Sequence, residues 1–363
     1  MKTSRAVKAG LDVALVGVMM WGLTILAGCG SSGGGTGGGT VPPPVQDGAK
    51  NVYVMGEYDS GAGFILELPA GSNGNVAPTA TLAPASNLEL VSVATDSGGQ
   101  IYVGAYDGTN FQILVYPAGS TGSATPTRTI LTGSFESTNL VIPGSMTIDS
   151  SGTLYVAGAS GNVAVYSATA NGAATPTQLI TSSLLTGPVG VAVDSGGNLY
   201  VSNEVATEGL STGAIYVFAA GATGTATPIR QITSASIFYG IALDSSGNIY
   251  TTANNYSVDG SGNFLSSTAS IVEFDGSATG AATPLKSLSI PTGGEPFTVA
   301  LGLRIDTAGN LFTSAQTASS TLSSATLVTS VIEFGPAATS SSTPTASLTS
   351  TSWTVPQPQI AVY

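Results

Sequence analysis

One carboxylate recurs along this chain at a fixed distance from an aromatic ring. Asp47, Asp96, Asp149, Asp194, Asp244 and Asp306 are each followed six residues later by Tyr53, Tyr102, Tyr155, Tyr200, Tyr250 or Phe312. Aspartates in Ser/Gly/Asn-rich turns invite a reading as calcium ligands. Each turn supplies one carboxylate, however, far short of the six to eight oxygens calcium takes. The aspartates therefore read as turn formers that accept from backbone N–H groups two or three residues on. Gly99, Gly152, Gly197, Gly247 and Gly309 supply the positive φ such turns need. Zinc and histidine-based nucleophilic chemistry are excluded, because the chain has no histidine and a single cysteine, Cys29.

The elements that must position these turns are strands. PVGVAVDSGGNLYVSN, residues 188–203, reads as strand 189–193, a tight Asp-Ser-Gly-Gly turn and strand 198–202. A third strand follows in each copy: ILEL (65–68), ILVY (113–116), VAVY (163–166), IYVF (215–218), IVEF (271–274) and VIEF (331–334). Next come a Gly/Ala/Ser turn closed by Pro78, Pro126, Pro176, Pro228, Pro284 or Pro344 and a short fourth strand. Four strands per unit at a period of 45 to 62 residues predict an all-β fold, a six-bladed β-propeller of four-stranded blades. The first copy begins at its turn and lacks an inner strand. Residues 358–363 (PQIAVY) align with 189–194, so the C-terminal strand is expected to close the ring and remove two open sheet edges.

Residues 1–28 read as a lipoprotein signal peptide, with basic Lys2, Arg5 and Lys8, an apolar run over 13–27, and the lipobox-like Leu26-Ala27-Gly28-Cys29. Cys29 is the expected lipidation site, and 29–44 a Gly/Pro-rich tether leading to a propeller over 45–363. The expected location is the bacterial cell envelope, lipid-anchored and extracytoplasmic. Without Lys2, Arg5, Lys8 and Asp12 the chain keeps five basic and nineteen acidic residues, a net charge of −14. Phosphate neutralisation needs clustered Lys and Arg, so nucleic acid is not an expected partner. A monomer without cofactors, touching the membrane through its lipid alone, is expected.

In a propeller the turns after the first and third strands share one face, and the other loops share the opposite face. The first set repeats nearly unchanged here, whereas the second varies in every copy. Variable loops on a rigid scaffold are where binding is carried. Glu57, Tyr58, Tyr106, Asp107, Asn203, Glu204, Tyr239, Asn254, Asn255 and Tyr256 are the candidate ligand-face residues, with Asp59, Phe238 and Trp353 nearby in the same loops. Aromatic rings and amides together suit an unknown protein, peptide or glycan partner, since ring faces stack on apolar patches while amides read hydroxyl or backbone groups.

The 188–203 segment and FYGIALDSSGNIY (238–250) resemble the NHL repeat, and the resemblance spans about 45–363. It implies a six-bladed propeller acting mostly in binding. The family's usual Ala-Asp-x-x-Asn-x-Arg-Ile hairpin is replaced by longer Ser/Thr/Gly/Asn loops. Related six-bladed gluconolactonase-like hydrolases hold a divalent metal at the axial mouth with Glu, Asn and Asp. The expected mouth column here, four before the turn aspartate, is Ser92, Ser145, Gly190, Gly240, Gly302 and Gln359, without a carboxylate. A second column, four after the aromatic, holds Glu57, Tyr106, Ala159, Glu204, Asn254 and Gln316. Glu57, Glu204 and Asn254 form the alternative, metal-dependent reading, a lactonase-like hydrolase. A purely structural envelope protein is the third reading.

Two further expectations concern cations. Arg128, Arg230 and Lys286 stand two residues after the turn proline and read as gatekeepers on exposed edge strands. Arg304 is the one charge in the small-residue column of the inner strands. It is expected to pair with Glu273, Glu333 or Glu67, in preference to anchoring an anion at the channel.

Overall fold

The computed structural model describes residues 51–57, 63–135, 137, 140–205, 211–258, 264–318, 327–349 and 360–363. Cys29, the tether, Tyr58, Asp59 and Trp353 lie outside them. The described part is all β. Its strands fall into antiparallel units of four: Glu89–Thr95, Ile101–Tyr106, Asn110–Tyr116 and Arg128–Ser134 form the second, and Pro143–Ile148, Leu154–Gly158, Asn162–Tyr166 and Gln178–Ile180 the third. Pro188–Val193, Leu199–Val205, Thr212–Phe218 and Arg230–Ser234 form the fourth. The fifth (Ile237–Leu243, Ile249–Val258, Phe264–Phe274, Lys286–Ser289) and sixth (Phe297–Ile305, Leu311–Ala318, Leu327–Phe334, Ala346–Thr349) join through one parallel bridge, Ser267 to Phe297. In the first unit Asn51–Glu57, Gly63–Pro69 and Ala80–Leu82 take their inner neighbour from the C-terminus, Ile360–Val362, in the register Val52 to Val362 and Val54 to Ile360.

Successive units pack face to face, and the core lies between them. Tyr53, Met55 and Ile65 of the first unit meet Val93, Val103 and Leu114 of the second, all buried. The inner strands touch in order from the second unit to the sixth, and Ile360–Val362 touches the inner strands of both the sixth and the second. This is the arrangement of a β-propeller. Close approach at the inner strands explains their small residues. A Cβ on Gly240 would run into the backbone of Leu301 and Leu303 in the next unit, and one on Gly190 into the Tyr239 carbonyl.

The aspartate turns form as their residue types require. Asp194 Oδ1 accepts from the N–H groups of Gly196 and Asn198, both at 2.9 Å, and Gly197 has φ 82°. The same two bonds recur at Asp96, Asp149, Asp244 and Asp306. The reach is two and four residues, one longer than the expected two or three. The six-residue spacing also gains a cause: the hydroxyls of Tyr102, Tyr155, Tyr200 and Tyr250 donate to the second oxygen of their aspartates at 3.1–3.4 Å.

The repeated turns after the third strands lock neighbouring units together. Leu82, Ile130, Ile180 and Ile232 in fourth strands each bridge to a turn glycine of the next unit, Gly122, Gly172, Gly224 and Gly280. Leu348 of the sixth unit bridges likewise to Gly74 of the first. The arginines beside them are clamps and not gatekeepers. Arg128 donates to the Ala170 carbonyl of the next unit at 3.0 Å and to the Tyr102 hydroxyl at 3.3 Å. Arg230 donates to the Gly276 and Ala278 carbonyls of the next unit and, at 3.1 Å, to the Tyr200 hydroxyl. Lys286 pairs with Glu273 at 2.8 Å, its cross-strand neighbour. The edge these residues were expected to guard is already covered by the next unit's turn.

Candidate functional site

At the variable-loop end, β-bulges interrupt the inner strands of the second to sixth units. Register shifts fall between Leu90 and Ser92, Pro188 and Gly190, Phe238 and Ile241, and Ala300 and Leu303, and opposite Pro143–Ser145 in the third unit. A bulge re-aims the side chain it carries. Val189, Tyr239 and Leu301, one position nearer the loop end than the expected mouth column, come together from three successive units, joined by Ile237, Val299 and Tyr256. The expected column turns instead toward the neighbouring unit, where Ser92 donates to the Pro143 carbonyl and Gly190, Gly240 and Gly302 abut the next inner strand.

Side-chain hydroxyls hold the bulges, because a bulge frees backbone groups from the ladder. Ser202 donates to the Tyr239 carbonyl, Gly240 N–H donates to Thr252 Oγ1 at 2.9 Å, and Thr251 Oγ1 donates to the Gly240 carbonyl at 2.8 Å. Gly302 in the sixth unit repeats this with Ser314 and Thr313.

Three titratable groups converge here. Tyr239 is 3 % exposed and its hydroxyl lies 3.5 Å from that of half-buried Tyr256. Burial pushes the Tyr239 phenol well above its ordinary value, and the charges of Tyr256 and Glu204 add to the rise. Glu204 is 7 % exposed and, among the described residues, its Oε2 has no hydrogen-bond partner. Desolvation raises its carboxyl, opposed by a hydrogen bond with Ser211. The backbone beneath it is fixed: its N–H donates to the Gly187 carbonyl at 2.8 Å, and its carbonyl accepts from Thr186 Oγ1 and Asn203 Nδ2, both at 2.9 Å. All three groups are biased toward their neutral forms on a largely apolar bed. That arrangement offers neutral hydrogen-bond donors and acceptors beside aromatic faces.

The other candidates separate by role. Asn203 is fully buried and ties the loop at Gly187 and Thr186. Asn254 donates to the Ala300 carbonyl at 2.9 Å and accepts from its N–H at 2.8 Å, bracing the fifth unit on the sixth. Tyr106 is buried against Phe111, ring centroids 4.6 Å apart, with Phe135 at 5.7 Å. Asp107 Oδ1 accepts from Thr109 and Asn110 N–H and shapes its own turn. Asn255 is exposed and accepts from Ser236 Oγ at 2.7 Å. Glu57 ends its strand opposite Gly63. For the alternative metal set, the Asn254 oxygen already accepts from Ala300. Among the described residues no group of three or more His, Cys, Asp or Glu is placed to hold a metal ion. An open cleft of about 380 Å³ on the flank of the fourth unit is lined by Thr212, Gln231 and Thr233, and among the described residues its lining includes neither Tyr239 nor Tyr256 and no acid or base beyond the buried Tyr216.

Sequence reasoning missed Val189, Val299 and Leu301. The signal was present as glycines inside strands at 190, 240 and 302, which mark bulges or close backbone approach.

Arg304 does not meet a glutamate. Its guanidinium donates to the Leu303 carbonyl at 2.8 Å and, at 3.3 Å, to the carbonyl of Met146 on the inner strand of the third unit. Strands in a sheet are about 4.8 Å apart, so third-strand residues stand roughly 10 Å outward. The glutamates bond there: Glu273 to Lys286, Glu333 to the Gly71 N–H at 2.9 Å, and Glu67 to the Tyr53 hydroxyl.

No family model and no curated protein matches this chain. Among solved structures, a protein from Lactobacillus plantarum is similar at 13 % identity, over 86 % of this chain and 99 % of that one, with a TM-score of 0.46. The WD40 domain of Toxoplasma gondii coronin is similar at 13 % identity over 76 % of this chain and 75 % of its own, TM-score 0.43. The Cps50 (Swd1) β-propeller domain of Myceliophteria thermophila shares 9 % identity over 72 % and 92 %, TM-score 0.38. Nothing about this chain's ligand or activity follows from them.

Proposed function

We propose that this chain is a lipid-anchored, extracytoplasmic binding protein, NHL-like in its repeat. Its six units close into one ring through the C-terminal strand, and it captures a protein, peptide or glycan partner at the variable-loop end without catalysis. The observation that carries the reading is the Glu204, Tyr239 and Tyr256 cluster on an apolar bed, set at the end whose loops vary, while the opposite turns are occupied in latching units together. Neutral hydrogen-bonding groups beside aromatic faces recognise hydroxyl-rich or backbone-rich ligands. The anchor rests on the lipobox at 26–29. The test is capture from an envelope extract by the immobilised full chain, compared with Tyr239→Phe/Tyr256→Phe. Loss of a captured partner at unchanged melting supports the reading, and equal capture by both forms overturns it.

A second reading has one observation in its favour, the unpartnered carboxylate oxygen of Glu204, which a metal-dependent hydrolase would use as a ligand. Metal analysis of the purified chain and a lactone and ester screen separate the two: bound divalent metal with turnover sensitive to Glu204→Gln selects the hydrolase.

A further inference from the structure

Arg304 sits where the inner strands approach one another from opposite sides. Its own strand belongs to the sixth unit and Met146 to the third, three units away in the order, so the guanidinium reaches across the axial space. Among the described residues two of its five donors have acceptors, both backbone carbonyls, and a carbonyl carries no charge to balance it. Burial by itself pulls the guanidinium down to about 10, with no neighbouring carboxylate acting to hold it up. Among the described residues the only ion pair is Lys286 with Glu273, remote from this position. Arg304 is only partly withdrawn from water, and a charge so placed gains from a partner or a bound counter-ion. Arg304 retains some exposure, so the axial space reaches it.

We propose that the axial space at Arg304 is a binding site for one small anion, halide or oxyanion, held by the guanidinium donors that the Leu303 and Met146 carbonyls leave over. The site is distinct from the tyrosine cluster: Arg304 lies three residues beyond Leu301 along the same bulged strand, roughly 7–10 Å deeper at about 3.3 Å per residue. Bound there, the anion joins the third and sixth units through Arg304 and acts as a structural bolt.

The test uses the full chain in detergent at constant ionic strength, with chloride, bromide, phosphate or sulfate replacing a bulky anion too large for the axis. The expected result is a saturable rise in Tm on the order of 1–3 °C with the small anions, absent in Arg304→Gln. Because that variant is at risk of not folding, ³⁵Cl line broadening on the wild type supplies a second readout: saturable broadening relieved by sulfate is expected. Neither a saturable Tm rise nor competable broadening in the wild type overturns the proposal, as does a rise of equal size in folded Arg304→Gln.

Discussion

Asn254 of the fifth unit grips both backbone groups of Ala300 in the sixth, donating at 2.9 Å and accepting at 2.8 Å, so that an amide side chain stands in for a missing strand partner. Ser267 does the same for Thr298, accepting from its N–H and donating to its carbonyl, both at 3.0 Å. The stretch from 254 to 267 thus begins and ends in an extended hairpin docked on its neighbour, with cross-strand pairs out to Val258 and Phe264. Asn254→Ala leaves a buried N–H and a buried C=O orphaned. We expect a loss of about 2–4 kcal/mol in urea unfolding, since each orphaned group costs roughly 1–3 kcal/mol. Asn255→Ala, at an exposed position next door, should stay within about 0.5 kcal/mol.

The arginine clamps yield a second prediction. Arg230 serves two carbonyls of the fifth unit and the Tyr200 hydroxyl with one planar fork, its guanidinium 5.6 Å from that ring's centroid. A lysine keeps the charge and loses the fork. Arg230→Lys should therefore recover less than half of what Arg230→Ala loses, itself about 1.5–3 kcal/mol. Arg128 and Arg230 share no partner, so the double alanine variant should lose the sum to within about 0.5 kcal/mol. Strong coupling between them in denaturant melts would contradict local clamping.

Much of this architecture was legible from local pattern. Asp194 with Gly197 and Tyr200 writes a turn, a positive φ and a hydroxyl bond into seven consecutive residues, and chain order alone placed Ile360–Val362 beside Asn51–Glu57. What escaped lies between units. Nothing near Asn254 in sequence announces Ala300, nothing near Arg304 announces Met146, and Arg230 reads as a solvated edge until the next unit's turn covers it. The mouth column was displaced by one residue for a related reason: alternation extrapolates cleanly through a strand, and a bulge at Tyr239–Gly240 breaks it without changing composition.

Deleting the last four residues tests ring closure. Ile360 and Ala361 are fully buried, Ile360–Val362 pairs with Val52–Val54, and Tyr363 exchanges two backbone hydrogen bonds with Asn51 at 2.9 and 3.1 Å. A chain ending at Gln359 bares the edge of Asn51–Glu57 and should unfold non-cooperatively and aggregate. Melting that matches the full chain would show that the strand is dispensable.

Glu204 gives a pH dependence with a definite sign. Desolvation raises its carboxyl above the ordinary 4.5 in the folded chain, while the unfolded chain titrates near that value. Below 4.5 the group is protonated in both states and the associated stability is fully present. As pH climbs through the folded value that stability is lost, because the native state must ionise a buried acid. Glu204→Gln should flatten this part of the stability profile and leave the chain relatively more stable at the high end of the window. Parallel pH profiles for wild type and variant would mean that the carboxyl is hydrated in solution.

The functional proposal turns on whether the tyrosine cluster recognises a ligand or merely fills the mouth. Tyr239→Phe and Tyr256→Phe keep the rings and remove the facing hydroxyls, so packing against Leu301 and Val299 survives. If the hydroxyls read a partner, capture should fall about tenfold or more, as when a site built to hydrogen-bond a ligand group loses that bond, with Tm nearly unchanged. Shortening the hairpin beyond Tyr256 and Ser267 should weaken capture while sparing Asn254 and its grip on Ala300. Alterations at Gly122 or Gly224 behave oppositely: these turns are latches, so their loss should lower Tm and affect capture only in proportion to unfolding. A partner lost selectively on changing Gly122 or Gly224 in a chain that still melts normally would place recognition at the opposite end and refute the proposal.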